Sequence, residues 1–297
     1  MRTGLIALGV ALALAVPLGA DASQLVDRNA IGVKLQVNRR GQALLTYYAR
    51  GQVRHVLAWG AVNAVPPTAG RPQTAFRLDY SGGWGTYRRD VWKTFRNVCR
   101  PYSGPVLAWF VTACTAPDGS HWALQAWQRE LPNYGIAPTG VQASWELRLS
   151  HWRGALPVVT IGVDWAYRRY DHLFGSFLYD GLPVYGFRST SIVSPLDRFG
   201  RNVYVDTLDS SYGPGWRREN SFLTHSGTGT FCYGFYPHGV RPPGKGTRYR
   251  ATVIGPGVTP DVTWEGTAPG AYDSVVDRQM ADVQRALVGT DPLCRPV

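Results

Sequence analysis

Residues 31–59 read IGVKLQVNRRGQALLTYYARGQVRHVLAW, and this stretch decides the fold class. In residues 31–37, apolar side chains alternate with Gly, Lys and Gln, which is the period of a half-buried β-strand. Turn sequences that contain glycine follow at 38–41 and 50–52, and an apolar stretch resumes after each. The sequence therefore predicts three antiparallel strands joined by tight hairpins.

Short apolar stretches separated by turn residues continue along most of the chain. Because few helical segments intervene, the pattern predicts an all-β protein, an antiparallel β-sandwich of the jelly-roll or large lectin type. A central strand that is apolar on both faces is expected at 106–114. Further strands are expected at 121–128, 143–149, 159–165, 203–208, 230–236, 249–254 and 262–264.

One segment near the end of the sequence has the periodicity of a helix. Its apolar residues at helical spacing are Val276, Met280, Val283 and Leu287. Ser274 and Asp277 resemble a capping box, and Gly289 stands where a helix would end. We expect one C-terminal α-helix that covers the sheet with these apolar side chains, Val283 among them.

The first 22 residues have the features of a cleaved secretory signal peptide. Arg2 provides a positive charge, and an apolar stretch covers residues 5–18. Residues 20–22 read ADA, which satisfies the small-x-small rule for cleavage after Ala22. A membrane anchor is the alternative, but the apolar stretch is short and Pro17 interrupts it.

The mature chain is expected to be secreted, either extracellular or associated with the cell envelope. After residue 18 no apolar stretch approaches the ~20 residues that a membrane span requires, so no transmembrane span is expected. No linker-like segment divides the sequence, and we therefore expect residues 23–297 to form a single β-sandwich domain.

Four cysteines remain after residue 22, and an even number in an exported protein indicates disulfides. Three connectivities are possible. We favour Cys99–Cys114 and Cys232–Cys294, because the members of each pair share a region of the chain. The spacing of cysteines and histidines fits no standard zinc site, so no metal is expected.

Composition limits the function classes. The chain carries 31 Lys and Arg against 20 Asp and Glu, with 44% hydrophobic and 17% charged residues, which excludes a disordered chain. The net charge of +11 attracts polyanions in general, so we expect no specific nucleic-acid partner. Because the sequence lacks a phosphate-binding glycine loop and a dinucleotide motif in the required context, no cofactor is expected.

A polysaccharide-active enzyme, a glycoside hydrolase or lyase, is one alternative. Hydrolysis of a glycosidic bond needs two carboxylates that flank it. Glu146 and Asp164 are the candidates, since each lies on the polar face of a predicted strand. The competing interpretation is that these faces simply contact water, as polar faces of antiparallel sheets commonly do.

Three segments place an aromatic residue before an Arg-Arg pair and an acidic residue shortly after it, at 84–92, 165–171 and 212–219. Aromatic faces stack on sugar rings, and arginine donates paired hydrogen bonds to carboxylate, sulfate or phosphate. The candidate ligand-binding residues are Trp84, Tyr87, Arg89, Trp92, Trp216 and Arg217. The alternative is a local brace, with arginine stacked on the aromatic residue and paired with the acid.

These features favour a secreted, disulfide-bonded β-sandwich protein that binds an extracellular ligand without catalysis. An acidic polysaccharide or another cell-envelope polymer is the expected partner. The enzyme described above is the first alternative. The second is a structural or surface-assembly protein whose aromatic loops are subunit contacts.

Overall fold

The computed structural model describes residues 23–65, 73–128, 131, 144–184, 187–188, 196–197, 203–220, 230–234 and 246–289. Most of these residues lie in antiparallel strands, and a helix follows the last strand. The predicted fold class, an all-β sandwich with one C-terminal helix, is confirmed.

The strands are β1 (Gln24–Arg28), β2 (Ile31–Val37), β3 (Ala43–Ala49), β4 (Gln52–Gly60), β5 (Phe76–Asp79), β6 (Arg100–Pro101), β7 (Phe110–Thr115), β8 (His121–Trp127), β9 (Glu146–Trp152), β10 (Val158–Ala166), β11 (Tyr170–Tyr179), β12 (Leu182–Pro183), β13 (Phe187–Arg188), β14 (Leu196–Asp197), β15 (Val203–Ser210), β16 (Gly213–Asn220), β17 (Thr230–Gly234), β18 (Arg248–Val253) and β19 (Val262–Thr267). The helical segments are a single turn α1 (Trp84–Tyr87), a 3-10 turn at Val91–Thr94 and the helix α2 (Ser274–Val288).

Two pairs of sheets each enclose a hydrophobic core. In the N-terminal half, the sheet β1-β9-β8-β7-β6 packs on the sheet β2-β3-β4-β5, and both contribute buried side chains to one cluster. In the C-terminal half, β10 and β11 with β12 and β17 pack on the sheet β16-β15-β18-β19 around a second cluster. We call these pairs the N-terminal and the C-terminal sandwich.

The loop 254–261 joins the two sandwiches. It follows β18 of the C-terminal sandwich, yet Val258 packs in the N-terminal core. The side chain of Gln125 on β8 donates to the carbonyl of Asp261 at 2.9 Å and accepts from its N–H at 2.9 Å. The two cores thus share a buried polar seam, while the single-domain organisation stays a prediction.

The strands β1, β5, β11 and β16 are absent from the sequence prediction, and two of the predicted strands differ from the structure in detail. The predicted strand at 106–114 begins only at Phe110, and Val106 is 94% exposed, because residues 106–109 precede the pairing of β7 with β8. Trp145 was expected in the core but is half-exposed. It stands one residue before β9, so the alternation of that strand does not extend to it.

The helix α2 begins one residue earlier than its predicted capping box. The carboxylate of Asp273 accepts hydrogen bonds from the N–H groups of Val275 and Val276 at 2.7 and 3.2 Å, as an N-cap does. The helix contacts β10 and β11 through a face centred on the buried Gln284. Val283 is 45% exposed, so its predicted place against the sheet is wrong.

The predicted disulfide Cys99–Cys114 is confirmed, with a separation of 5.8 Å between the Cα atoms. The backbone of Cys232 lies on β17, but Cys294 is outside the described residues, so the second disulfide stays a prediction. The expected signal peptide, residues 1–22, also lies outside them. Within the described part of the chain, no helix is long and apolar enough to cross a membrane.

Candidate functional site

A groove of about 470 Å³ lies between the turn that joins β2 to β3 and the segment that follows α1. Its charged lining residues are Arg39, Arg40, Arg89 and Arg96, and we call it the arginine groove. The other lining residues are Asn38, Gln42, Tyr87, Val91, Thr94, Phe95, Asn97 and Val98.

The arginine groove has no acidic counter-charge among the described residues. No Asp or Glu belongs to its lining, and none of the described carboxylates forms an ion pair with its four arginines. Asp90, the acidic neighbour of Arg89, instead pairs with Lys93 at 2.6 Å. The guanidinium groups are therefore available to an anionic ligand, which is what a brace would have prevented.

Side-chain hydrogen bonds fix the turn on one side of the groove. The oxygen of the Asn38 side chain accepts from the N–H groups of Arg40 and Gln42 at 2.9 and 3.1 Å, which holds the turn closed. The side-chain oxygen of Gln42 accepts from the Asn38 amide, and its own amide donates to the Tyr87 hydroxyl at 2.8 Å. The turn that carries two arginines is thus tied to the segment that carries a third.

Hydrogen bonds and a disulfide also fix the other end of the segment that lines the groove, at residues 97–99. The side-chain oxygen of Asn97 accepts from the N–H groups of Val37 and Cys99 at 3.0 and 3.1 Å. Val98 donates its N–H to the carbonyl of Val37 at 2.8 Å, and the disulfide then joins Cys99 to β7. The groove is therefore built before any ligand arrives.

The single turn α1 depends on glycine and on one carboxylate. Gly83, its N-cap, has φ of 112°, and a Cβ there would lie 2.4 Å from the side chain of Val91. Asp79 accepts hydrogen bonds from the N–H groups of Ser81 and Thr86 at 2.9 Å each. Burial opposes ionisation, but the hydrogen bonds from Ser81 and Thr86 prevail and lower the pKa of Asp79.

Four of the six predicted ligand-binding residues lie in or beside this segment. Tyr87 and Arg89 line the arginine groove, and Trp84 on α1 is 54% exposed. Trp92 stacks on His55 with 4.1 Å between ring centroids and an angle of 6°. It lines a smaller neighbouring cleft of about 200 Å³, which also includes Arg54.

The other two predicted residues, Trp216 and Arg217, lie on β16 in the C-terminal sandwich. The ring of Trp216 contacts the Arg250 guanidinium, 4.1 Å from the ring centroid, and Trp109 lies on the same guanidinium at 4.7 Å. Trp216 and Arg217 do not line the arginine groove, because β16 belongs to a sheet of the C-terminal sandwich. The groove therefore does not unite all six predicted residues.

Behind Trp216 lies a buried ionic cluster that we call the Asp206 triad. The carboxylate of Asp206 pairs with Arg250 at 3.0 Å and with Arg218 through the Nε–H of that guanidinium. Arg218 in turn lies over the ring of Tyr204, 4.6 Å from its centroid. The segment 212–219 therefore has the aromatic stacking and the ion pairing expected of a local brace.

The third segment also stacks. Arg168 lies over the Tyr272 ring, 5.8 Å from the centroid, and Arg169 lies over Tyr170 at 5.5 Å. Asp171 is buried and accepts from the hydroxyl of Tyr249. Of the three similar segments, the one at 84–92 contributes residues to the arginine groove, and the described lining includes none from the other two.

Sequence reasoning missed Arg39, Arg40, Arg96 and the aromatic Phe95. A signal did exist, because Arg39-Arg40 is one of the Arg-Arg pairs in the chain. In the sequence this pair indicates only a turn, since no aromatic residue adjoins it. The structure supplies the aromatic neighbours from residues 87–98 instead.

The expectation that Glu146 and Asp164 lie on water-facing faces of their strands is wrong, because both side chains are buried. Glu146 is buried and pairs with Arg148 at 2.7 Å and with Arg28 at 2.9 Å. Asp164 is buried and lies 2.8 Å from the Nδ1 atom of His172. Both faces of β9 are buried, and the carboxylate of Glu146 is compensated inside the fold by the two arginines that pair with it.

Among the described residues, no group of three or more His, Cys, Asp or Glu side chains could hold a metal ion. Comparison with known protein families, with curated proteins and with solved structures finds no match to the chain. The functional argument therefore depends on the geometry of the arginine groove.

Proposed function

We propose that this protein binds an acidic polysaccharide or a similar anionic cell-envelope polymer in the arginine groove, without catalysis. The observation that carries the proposal is the set of four arginines with no acidic partner among the described residues. Tyr87 and Phe95 line the same groove and add aromatic surface beside the charges.

The chemistry of the groove matches that partner. A guanidinium donates two parallel hydrogen bonds to a carboxylate or sulfate, and it is more weakly hydrated than an ammonium group. A polymer with a regular series of acidic groups can engage several arginines at once. The exposed face of Trp84 on α1 provides a stacking surface near the groove for a sugar ring.

The proposal includes export of the chain. The N-terminal pattern described above supports it, and the Cys99–Cys114 disulfide adds weak support because disulfides persist in oxidising compartments. An extracellular setting would also bring the protein into contact with acidic polysaccharides.

The test measures binding to a polyuronate at low salt and at ~0.3 M salt, where the Debye length is shorter than the ~8 Å of physiological solution. The double variant Arg40→Ala/Arg89→Ala removes two groove charges. The matched control Arg248→Ala/Arg285→Ala removes two exposed arginines that already pair with Glu265 and Asp282.

We expect the groove variant to lose about tenfold or more in affinity at the higher salt, because hydrogen bonds to charged groups contribute ~1.5–3 kcal/mol each. The control should lose affinity mainly at low salt. Equal losses in the two variants would show that net charge alone attracts the polymer. Polymer length should stay constant during incubation, and its shortening would instead support the enzyme alternative.

A further inference from the structure

Ser23, the first described residue of the fold, is completely buried (0% exposed). Its N–H donates to the carbonyl of Gly257 at 2.6 Å, and its carbonyl accepts from Nη1 of Arg148 at 2.9 Å. Its hydroxyl donates to the carboxylate of Asp261. Ser23 therefore occupies the seam between the two sandwiches, where the loop 254–261 enters the N-terminal half.

Asp261 is the carboxylate at the centre of this seam. It is 1% exposed and accepts hydrogen bonds from Nε1 of Trp127 at 2.8 Å and from the N–H of Gly255 at 3.1 Å. Together with the Ser23 hydroxyl these are three donors, whereas a carboxylate offers about four acceptor positions. Burial raises the pKa of Asp261, against the opposing charge of Arg148.

The described charges of the seam do not balance. Arg148 is completely buried and donates to Glu146 at 2.7 Å, so one buried guanidinium faces two buried carboxylates. Glu146 has a second cation, Arg28, whose side chain is exposed to solvent. Among the described residues, Asp261 has no second cation of this kind. A second positive charge nearby would stabilise the ionised form of this buried carboxylate.

We propose that the chain is cut between Ala22 and Ser23 and that the new α-ammonium group of Ser23 becomes the missing buried cation, paired with Asp261. This inference depends on the export part of the proposed function and is independent of the polymer. The cut is a hydrolysis by the signal peptidase of the exporting cell. Water adds its hydroxyl to the carbonyl carbon of Ala22, the peptide bond breaks, and the nitrogen of Ser23 leaves as a protonated amine.

Two features of Ser23 favour a free amine at this position. A peptide nitrogen has one proton, which Gly257 already accepts, whereas an ammonium group has two more for the carboxylate and its surroundings. In the uncut chain Ser23 also has φ of 35°, a conformation that residues other than glycine rarely adopt. Cutting the preceding peptide bond removes this unfavourable conformation, because an N-terminal residue has no preceding carbonyl group that could clash with its side chain.

The experiment compares two recombinant chains, one beginning at Ser23 and one that retains Ala22 as its first residue. Both have one α-amino group and the same net charge. We expect the chain that begins at Ser23 to unfold about 5–10 °C higher, because the other form leaves Asp261 without its partner. In an Asp261→Asn background this difference should disappear. Equal midpoints in the parent background would overturn the inference.

An amine-reactive label gives a second measurement that does not require Asp261→Asn to fold. The amine of Ser23 should be protected in the native protein and should react in denaturant, whereas the amine of Ala22 should react in both. Rapid labelling of native Ser23 would overturn the inference. The exported protein should begin at Ser23. If the exported protein began at another residue, the inference would be contradicted but the proposed export would not. If the chain were not cut at all, the proposed export would be contradicted as well.

Discussion

The segments 84–92 and 212–219 have the same short sequence pattern and opposite environments. In the first, Arg89 lines an open groove, and its acidic neighbour Asp90 pairs with Lys93. In the second, Arg218 is buried against Asp206, which also holds Arg250. The difference arises because the first segment follows an edge strand into a loop, while the second lies on a strand paired with β15.

The comparison teaches that a pattern of aromatic and arginine residues has no fixed role. Its role depends on whether a carboxylate from another strand reaches the guanidinium groups. On β15, Asp206 lies opposite Arg218 in one neighbouring strand and opposite Arg250 in the other, so it contacts both. The strands around the first segment bring no carboxylate into the groove; they bring a turn with two more arginines.

The largest expected effect concerns the Asp206 triad. Asp206→Asn should lower the free energy of unfolding by about 3–5 kcal/mol, because it removes the buried carboxylate that pairs with both Arg218 and Arg250. Denaturant titration measures the loss. The matched control is Asp282→Asn, which removes an exposed partner of Arg285 and should cost under ~1 kcal/mol. Similar losses in the two variants would show that the second segment is not a buried brace.

Many of the strands could be predicted from the sequence, although β11 and β16 were not, and the charge partners could not be predicted. Alternation is local, so residues 31–37 sufficed to predict β2. Glu146, in contrast, is buried because Arg28 reaches it from 118 positions away, and Asp206 because two other strands present arginines to it. The arginine groove was missed in part for the same reason, since Arg39 and Arg89 meet only after β2, β3 and the segment beyond β5 have assembled.

The second expected effect is a pH dependence of stability that arises from His151, a buried residue of the N-terminal sandwich. His151 is buried, stacks on Trp122 with 3.7 Å between ring centroids, and lies 2.9 Å from the hydroxyl of Ser120. Burial lowers the pKa of His151 to about 4. The unfolded chain therefore binds a proton below pH ~6.5 that the folded chain does not, and stability falls as the pH decreases from there.

We expect the parent to lose about 3 kcal/mol of unfolding free energy between pH 7 and 4 from this residue alone. Unfolding at several pH values should show that His151→Gln flattens this dependence, whatever its stability at pH 7. Carboxylates with lowered pKa values, such as Asp79 and Asp118, add their losses at lower pH. An unchanged slope in the variant would mean that His151 is accessible to protons in the folded state.

A third effect concerns the covalent attachment of the first segment. The disulfide closes a loop with a sequence separation of 15. Replacing both Cys99 and Cys114 by serine should lower the free energy of unfolding by about 3 kcal/mol through the entropy of the unfolded chain. It should also weaken polymer binding, since Asn97 and Val98 line the groove next to Cys99. Full affinity in the variant would show that the hydrogen bonds of Asn97 suffice to hold that rim.

The smallest expected effects concern Trp84 and Trp216, one tryptophan from each of the two segments compared above. Trp216 lies on the Arg250 guanidinium, so Trp216→Ala should cost about 0.5–2 kcal/mol of stability. Trp84 is more than half exposed, and Trp84→Ala should change stability by less than ~0.5 kcal/mol. For polymer affinity we expect the opposite order.

Trp84→Ala should weaken polymer binding more than Trp216→Ala, because stacking is worth ~1–3 kcal/mol per ring where it has been measured for bases. The affinities of the two variants are compared at ~0.3 M salt, where screening suppresses the long-range attraction. If Trp216→Ala weakened binding and Trp84→Ala did not, the ligand would contact the C-terminal sandwich, and the open groove would not be the site.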